Sequence, residues 1–464
     1  MFDTVLANCR LPLLDSNQST YHVCLKNGIT TNFVPAINAP PKALKQYNID
    51  NMSLMPGFID AHTHFFDPGY EFRENFFTAT LAAASSGITT SIDMPCSSKP
   101  TTRSSKDLEI KLNSIKKKTL IDFAIWGGIT GEEVRAGETY TRLKGLKDSG
   151  VCAIKVYLTS SLKEFSSVSY DELKEVCIEA AKLDLIIGVH AEDFSICTEK
   201  TNYFSRHGQT NALNWEQARP KSAEIKAVKK CIEISKQTGT HIHIVHLSSG
   251  DAANEIRIAK NQKINITAET CPHYLILNNK EHLPKLGVLA KVAPPIREIE
   301  DNEMLWKALS DETLDFVTTD HAPFDKNNEK LDKNLDIFTA FSGISGIETL
   351  VPLMLTFGYH KNKMSLKLLS NLLSSNPAKN YRIFPRKGCF QIGSDADFAI
   401  IDLDREWIFD QNKMHSKAKY SPFHGYKLKG KTTMTFVRGE LVYSEEHGLC
   451  VNKGHGKFLC PSKN

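Results

Sequence analysis

The chain has 464 residues, 41% apolar and 24% charged, which excludes a mainly disordered polypeptide and leaves room for a large domain beside a smaller one. Its 57 basic and 53 acidic residues nearly cancel to a net +4, so the charge balance points neither to nucleic acid nor to an anionic membrane. No apolar run reaches the ~20 residues of a membrane span. The start, Met1-Phe2-Asp3-Thr4-Val5, lacks both parts of a secretory signal, and eleven cysteines without a Cys-x-x-Cys pair read as reduced thiols of a cytoplasmic protein.

Short β-like pieces such as Val23–Leu25 precede Met52. Eight apolar runs follow: Leu54–His64, Ile88–Pro95, Leu120–Gly127, Val151–Leu158, Leu185–Glu192, His241–Ser248, Ile264–Tyr274 and Leu314–Pro323. Each is rich in strand formers and ends in polar residues, as a strand buried on both faces would. Helical spacing separates them, as in Glu74–Ser86, Tyr170–Leu183, Ser222–Lys236 and Asn302–Leu309. Eight alternations predict an α/β fold, a (β/α)8 TIM-like barrel over residues 53–387, rather than an open doubly wound sheet. No Gly-x-Gly-x-x-Gly follows the first strand, which counts against dinucleotide binding. After the barrel, Gly393–Asp402 and Thr433–Val442 read as strands with turns between. Residues 1–52 and 388–464 are therefore expected to form a small β-sandwich domain built from both chain ends. Lys326–Asn334 reads as a charged surface loop, a candidate lid.

Barrel sites form at the carboxyl ends of the strands, and chemistry-bearing residues collect there. The first run ends Asp60-Ala61-His62-Thr63-His64, placing His62 and His64 on one face of a strand. The fourth carries Lys155, the fifth ends in His190, the sixth in His246 and the eighth in Asp320. Singly, a histidine at a strand end is more often a hydrogen-bonded structural residue. Together these residues suit a divalent metal. Lys155 is the informative member: an ammonium in a buried strand is costly unless neutralised or paired, and burial frees the amine as a nucleophile. Such an amine can add CO2 to give a carbamate that bridges two cations; the plain alternative is a salt bridge to Asp60 or Asp320. By strand alternation, His243 and His241 should face away from His246, and His321 away from Asp320. Glu192 and Asp193 are candidate partners behind His190, and His273 is either a substrate contact or structural.

The motifs Pro56-Gly57-Phe58-Ile59-Asp60-Ala61-His62-Thr63-His64, Gly188-Val189-His190-Ala191-Glu192-Asp193, Val245-His246-Leu247-Ser248-Ser249, Glu269-Thr270-Cys271-Pro272-His273-Tyr274 and Thr319-Asp320-His321-Ala322-Pro323 resemble the amidohydrolase superfamily. Within it, the chain is similar to the cyclic-amide hydrolases: allantoinase, dihydroorotase and hydantoinase/dihydropyrimidinase. The tail Ser421-Pro422-Phe423-His424-Gly425 also resembles that branch. The resemblance implies two divalent metal ions, usually zinc. His62, His64, Asp320 and a carboxylated Lys155 would hold one; Lys155, His190 and His246 would hold the other. A hydroxide between them would attack the ring amide carbonyl, with Asp320 as the catalytic acid–base that carries the proton to the leaving nitrogen. Cys96, Cys271, His273 and Ala293 are the substrate-binding candidates. The implied partner is a small cyclic amide, with no nucleic acid and no membrane, and relatives suggest a homo-oligomer, dimer or tetramer.

Departures narrow the branch. Dihydroorotases usually follow His-x-His with Leu-Arg, whose arginine pairs the substrate carboxylate; here Phe65-Phe66 stand. Met94-Pro95-Cys96 and Ala293-Pro294-Pro295-Ile296-Arg297 also depart from the dihydroorotase pattern, and a lost Arg–carboxylate contact costs about 2–4 kcal/mol. Dihydropyrimidinases usually carry an oxyanion-stabilising tyrosine five residues after the lysine, where Ser160 stands; Tyr157 shares the face of Lys155. Asp93–Ser98, Lys291–Glu298 and Gly343–Glu348 resemble allantoinases, whereas Ala322 is dihydroorotase-like. The expectation is an allantoinase-like hydrolase, with dihydroorotase and then hydantoinase as alternatives. From a different class, the alternative is a non-catalytic scaffold homologue.

Overall fold

A computed structural model describes residues 1–14, 19–160 and 162–462. The apolar runs form parallel strands: β1 (Phe58–Thr63), β2 (Ile88–Asp93), β3 (Asp122–Ile125, continued after Trp126 by Gly127–Gly128), β4 (Ile154–Tyr157), β5 (Ile187–His190), β6 (Ile242–Ile244), β7 (Ile266–Thr270) and β8 (Phe316–Val317). β1, β2 and β3 pair in parallel, and the continuation of β3 pairs in parallel with β4, followed in order by β5, β6, β7 and β8. Beyond β8, Thr63 makes a parallel bridge to His321, and the His64 amide donates to the His321 carbonyl at 2.8 Å.

Burial explains the composition of these strands. β1, β2 and β3 are buried at every position, so neither face needs polar residues. The helices between them bury one stripe each. Tyr170–Lys182 buries Leu173, Val176, Cys177 and Ala180, and Ser169 and Glu172 form a capping box at its start. Lys221–Thr238 ends on Gly239, whose φ of +73° suits glycine.

The chain ends meet in one sheet. Strands Phe2–Arg10, Thr20–Lys26, Ile29–Pro35, Ala43–Asn48 and Ser53–Pro56 join Phe398–Ile408, Lys427–Val437, Glu440–Ser444 and Gly448–Leu449. The seam is antiparallel, with Leu54 opposite Ile400 and Pro56 opposite Phe398. From Pro56 the chain passes into β1 through Gly57, where a Cβ would collide with the Thr89 side chain. No helix of the described residues is long and apolar enough to cross a membrane.

Residues 326–334 are not a plain surface loop. Lys326–Lys330 forms a π-helical turn, and Glu329 and Lys330 are buried. Pairing draws them inward: Arg73 grips Glu329 through Nε at 2.8 and 3.0 Å, and Lys330 donates to the carbonyls of Phe341 and Gly343.

Candidate metal centre

The residues singled out at the strand ends converge. His62 lies in β1 and His64 follows it, and their Nε2 atoms stand 3.3 and 3.0 Å from Asp320 Oδ1. One ligand atom from each of these three residues fits within a 4.8 Å group. His190 Nδ1 lies 3.1 Å from His246 Nε2, and the His62 and His246 ring centroids are 5.2 Å apart. Tyr157 stacks on His190 with centroids 5.2 Å apart, and Lys155 Nζ lies 4.9 Å from the Tyr157 ring.

Two of these residues leave the strand register to reach this cluster. His246 has φ +40° and Asp320 φ +47°, both left-handed conformations that non-glycine residues rarely adopt. The alternation argument for His243 therefore fails. β6 stops at Ile244, and His246 turns out of the extended chain, so a two-residue period does not connect them. Instead of facing outward, His243 is fully buried, stacks on Phe316 at 5.0 Å, and sets Nε2 3.2 Å from Glu269 Oε2. His241 is half-buried and shares Thr267 Oγ1 with His243 at 2.8 Å. His321 is structural: its Nδ1 accepts from the Gly346 and Ile347 amides.

The polar shell fixes which ring atoms face the centre. Glu269, at the end of β7, accepts from His62 Nδ1 at 2.5 Å. Ser97 Oγ lies 2.5 Å from His64 Nδ1. Glu192 lies 2.7 Å from His190 Nε2 and is held in turn by Arg219 Nε at 3.1 Å. These contacts leave the remaining nitrogen of each ring for a ligand role. Asp193, by contrast, caps the helix Phe194–Arg206 by accepting from the Ile196 amide. Sequence pattern held no signal for Arg219, which lies 27 residues from its partner.

Electrostatics follow burial. Lys155 is fully buried, its Nζ has no hydrogen-bond partner among the described residues, and burial lowers it from the usual lysine range to about 8. The salt bridge to Asp60 is not formed; Asp60 instead accepts from the Thr319 amide at 3.1 Å and from the Thr319 hydroxyl. Burial also lowers His62 to about 4 and keeps it neutral at pH 7. Burial works against ionisation of Glu192, yet Arg219 and His190 hold its carboxyl at about 2.

These atoms fit a metal. Zinc ligands about 2.0–2.1 Å from a tetrahedral centre stand roughly 3.3 Å from one another, close to the spacings at His62, His64, Asp320, His190 and His246. His62 Nε2 and Lys155 Nζ, buried and without a hydrogen bond among the described residues, are the atoms such a centre would satisfy.

The centre opens into a cavity of about 440 Å³ lined by His64, His190, His246, Asp320, Cys96 and Tyr157. Its outer wall is aromatic, from Phe66, Tyr70, Phe165, Phe324 and Phe341. Cys96 Sγ lies 3.2 Å from Tyr157 Oη. Of the other substrate-binding candidates, Cys271 is fully buried beside Thr318 Oγ1 at 3.9 Å and His273 is buried with Nε2 unpartnered. Ala293 is half-buried before a cis Pro294.

Comparison with known proteins agrees with this geometry. Residues 53–442 match the amidohydrolase family. The chain is 32% identical over 439 residues to an allantoinase from Rubrobacter xylanophilus, covering 94% of each chain. It is 31% identical to an L-hydantoinase from Paenarthrobacter aurescens, covering 99% of this chain and 98% of that one. The solved structure of an L-hydantoinase (dihydropyrimidinase) from Arthrobacter aurescens superposes with a TM-score of 0.92 at 29% identity, over 99% of this chain and all of that one.

Proposed function

The chain belongs to the amidohydrolase family, and from that premise we propose that it hydrolyses the C–N bond of a cyclic ureide, opening the allantoin ring. The observation that carries the reading is Lys155: a fully buried amine without a hydrogen-bond partner among the described residues, beside the paired imidazoles of His190 and His246. The amine adds CO2 with loss of a proton, and the resulting carbamate turns a buried cation into an anionic ligand. His62, His64, Asp320 and Lys155 would hold one divalent ion, with Lys155, His190 and His246 holding a second, and zinc suits this donor set. When bound, such ions polarise a carbonyl and lower the pKa of water. The Asp320 carboxylate takes the proton of the attacking water and delivers it to the ring nitrogen as the C–N bond breaks. The aromatic wall excludes water from the ring.

The fold reading that accompanies this is a closed (β/α)8 barrel over residues 53–387. It is supported by the Thr63–His321 bridge between the first and last strands. Residues 1–52 and 388–464 would make the β domain, supported by the Leu54–Ile400 seam. A cytoplasmic location rests on eleven cysteines, all free. A homo-oligomer is supported by helix Phe194–Arg206, which buries Cys197 and exposes Phe194 and Tyr203.

Hydrolysis of a 5-substituted hydantoin is the second reading, favoured by the aromatic wall, which suits an aryl or alkyl substituent. Dihydroorotate fits less well, because the arginine of the cavity, Arg73, is already gripped by Glu329. Allantoin, dihydroorotate, dihydrouracil and a 5-substituted hydantoin, each assayed with zinc, cobalt and manganese, test this. Allantoin opening is the expected result. Turnover of dihydroorotate alone, or of nothing by metal-loaded protein, would overturn the reading.

A further inference from the structure

Residues 336–343 carry no helix or strand, and the carbonyls of Phe338, Ala340, Phe341 and Gly343 take their donors from outside the segment. Two lysines supply them. Lys291 Nζ donates to the carbonyls of Phe338, at 3.2 Å, and Ala340. Lys330 Nζ donates to the carbonyls of Phe341 at 2.8 Å and Gly343 at 2.9 Å. Both side chains are buried, and the hydrogen-bond acceptors of both Nζ atoms are backbone carbonyls. The two are joined through the main chain: Gly343 N donates to the Lys291 carbonyl at 2.8 Å, and Lys330 Nζ reaches the same oxygen at 3.5 Å. Tyr420 adds its hydroxyl to the Gly343 carbonyl at 3.0 Å.

A buried lysine satisfied by carbonyls rather than by a carboxylate is an expensive way to hold a loop. The segment so held has one distinguishing property: it is a wall of the cavity. Phe341 and Ser342 line it, and Phe341 stacks on Phe324 with centroids 4.9 Å apart. Just beyond the segment, the Ile344 carbonyl accepts from the Ala322 amide at 2.9 Å, tying the wall to the strand exit that carries Asp320. Gly343, at φ +151°, packs so closely on Ala322 and Phe324 that a Cβ would collide with both. The carbonyls of the wall thus turn toward two buried lysine side chains.

We propose that Lys291 and Lys330 are positioning residues for substrate, two buried lysine side chains whose N–H groups draw the carbonyls of Phe338, Ala340, Phe341 and Gly343 inward and so set the cavity wall against which the ring lies. The proposal rests on the cyclic-amide reading above. Neither lysine touches the metal ligands, so their loss should spare the metal centre and spoil the fit of the ring.

The test is to prepare Lys330→Met and Lys291→Met and measure metal content, kcat and KM separately on the best wild-type substrate. The expected result is unchanged metal content, kcat within about threefold and KM raised about tenfold or more, since uniform binding is what is lost. Lys330→Gln, which keeps an N–H donor, should recover part of that KM. KM within about twofold of wild type, or kcat and KM following the loss of metal or folded protein, would overturn the proposal. Should the Met variants not fold, hydrogen exchange on the wild-type protein decides. The amides of Ala340, Phe341 and Gly343 should exchange on the order of 10³-fold more slowly than exposed loops, and exchange at loop rates would overturn it. Wild-type protein that opens no cyclic amide would count against the proposed function instead, and leaves the exchange result to judge the wall.

Discussion

His190 Nδ1 and His246 Nε2 stand 3.1 Å apart, although 56 residues separate them and they arrive from different strands. Two ring nitrogens at that distance share one proton or flank one cation. Their neighbours favour the cation, because Glu192 already occupies the other nitrogen of His190, and Lys155 lies beside the same rings.

Replacing the lysine should separate these possibilities. Lys155→Ala is expected to lose metal and abolish turnover, with partial rescue by short carboxylic acids that stand in for the carbamate. Metal analysis and activity with added propionate measure it. Wild-type turnover in the variant would remove the bridging role.

The pair behind His190 should tune metal affinity without touching the metal. Arg219→Met leaves Glu192 without its cation, so the orientation and basicity of His190 suffer. Metal affinity should fall about 10–100-fold, read by chelator competition. An unchanged affinity would make Arg219 a packing residue only.

A buried ion pair holds the loops that flank the site. Lys111 on helix Ser105–Ile115 and Asp93 at the end of β2 are both fully buried and paired, and Asp93 also accepts from the Phe65 amide at 2.8 Å. Lys111→Met strands the carboxylate and should cost about 3–5 kcal/mol in stability. Denaturant unfolding with an unchanged midpoint would show that the pair contributes nothing.

One acid makes stability depend on pH away from the metal centre. Burial raises Glu348 to about 7, although it accepts from the His415 and Ser416 amides at 2.8 and 3.2 Å. Its folded value lies above the unfolded one, so the folded state binds the proton more tightly. The stabilisation is full below about pH 4.5 and is lost as pH rises through about 7, at most about 3 kcal/mol in all. Glu348→Gln should therefore gain stability relative to wild type between pH 5 and pH 8. Parallel stability–pH curves for the two proteins would contradict this.

Much of the molecule was legible in the one-dimensional pattern. Local periodicity marked the eight strand segments, because a strand covered on both faces must be apolar along its length. Strand-end position picked out His62, His64, Lys155, His190, His246 and Asp320, because the parallel arrangement brings all carboxyl ends to one side. The inward turn of Glu329 and Lys330, the burial of His243 and the grip of Arg219 on Glu192 were not legible. Each depends on a partner far away in the chain, or on a left-handed backbone at His246 that breaks the count.

What the amino-acid order determined alone was the alternation of strand and helix, and the set of candidate metal-binding side chains with the family they mark. These follow from periodicity and residue chemistry, which are local. Tertiary structure decided which nitrogen of each histidine faces the centre, which carboxylates stand behind the rings, and which wall the two buried lysines shape. Those are relations across long sequence separations, set by packing and by the need of each buried polar atom for a partner.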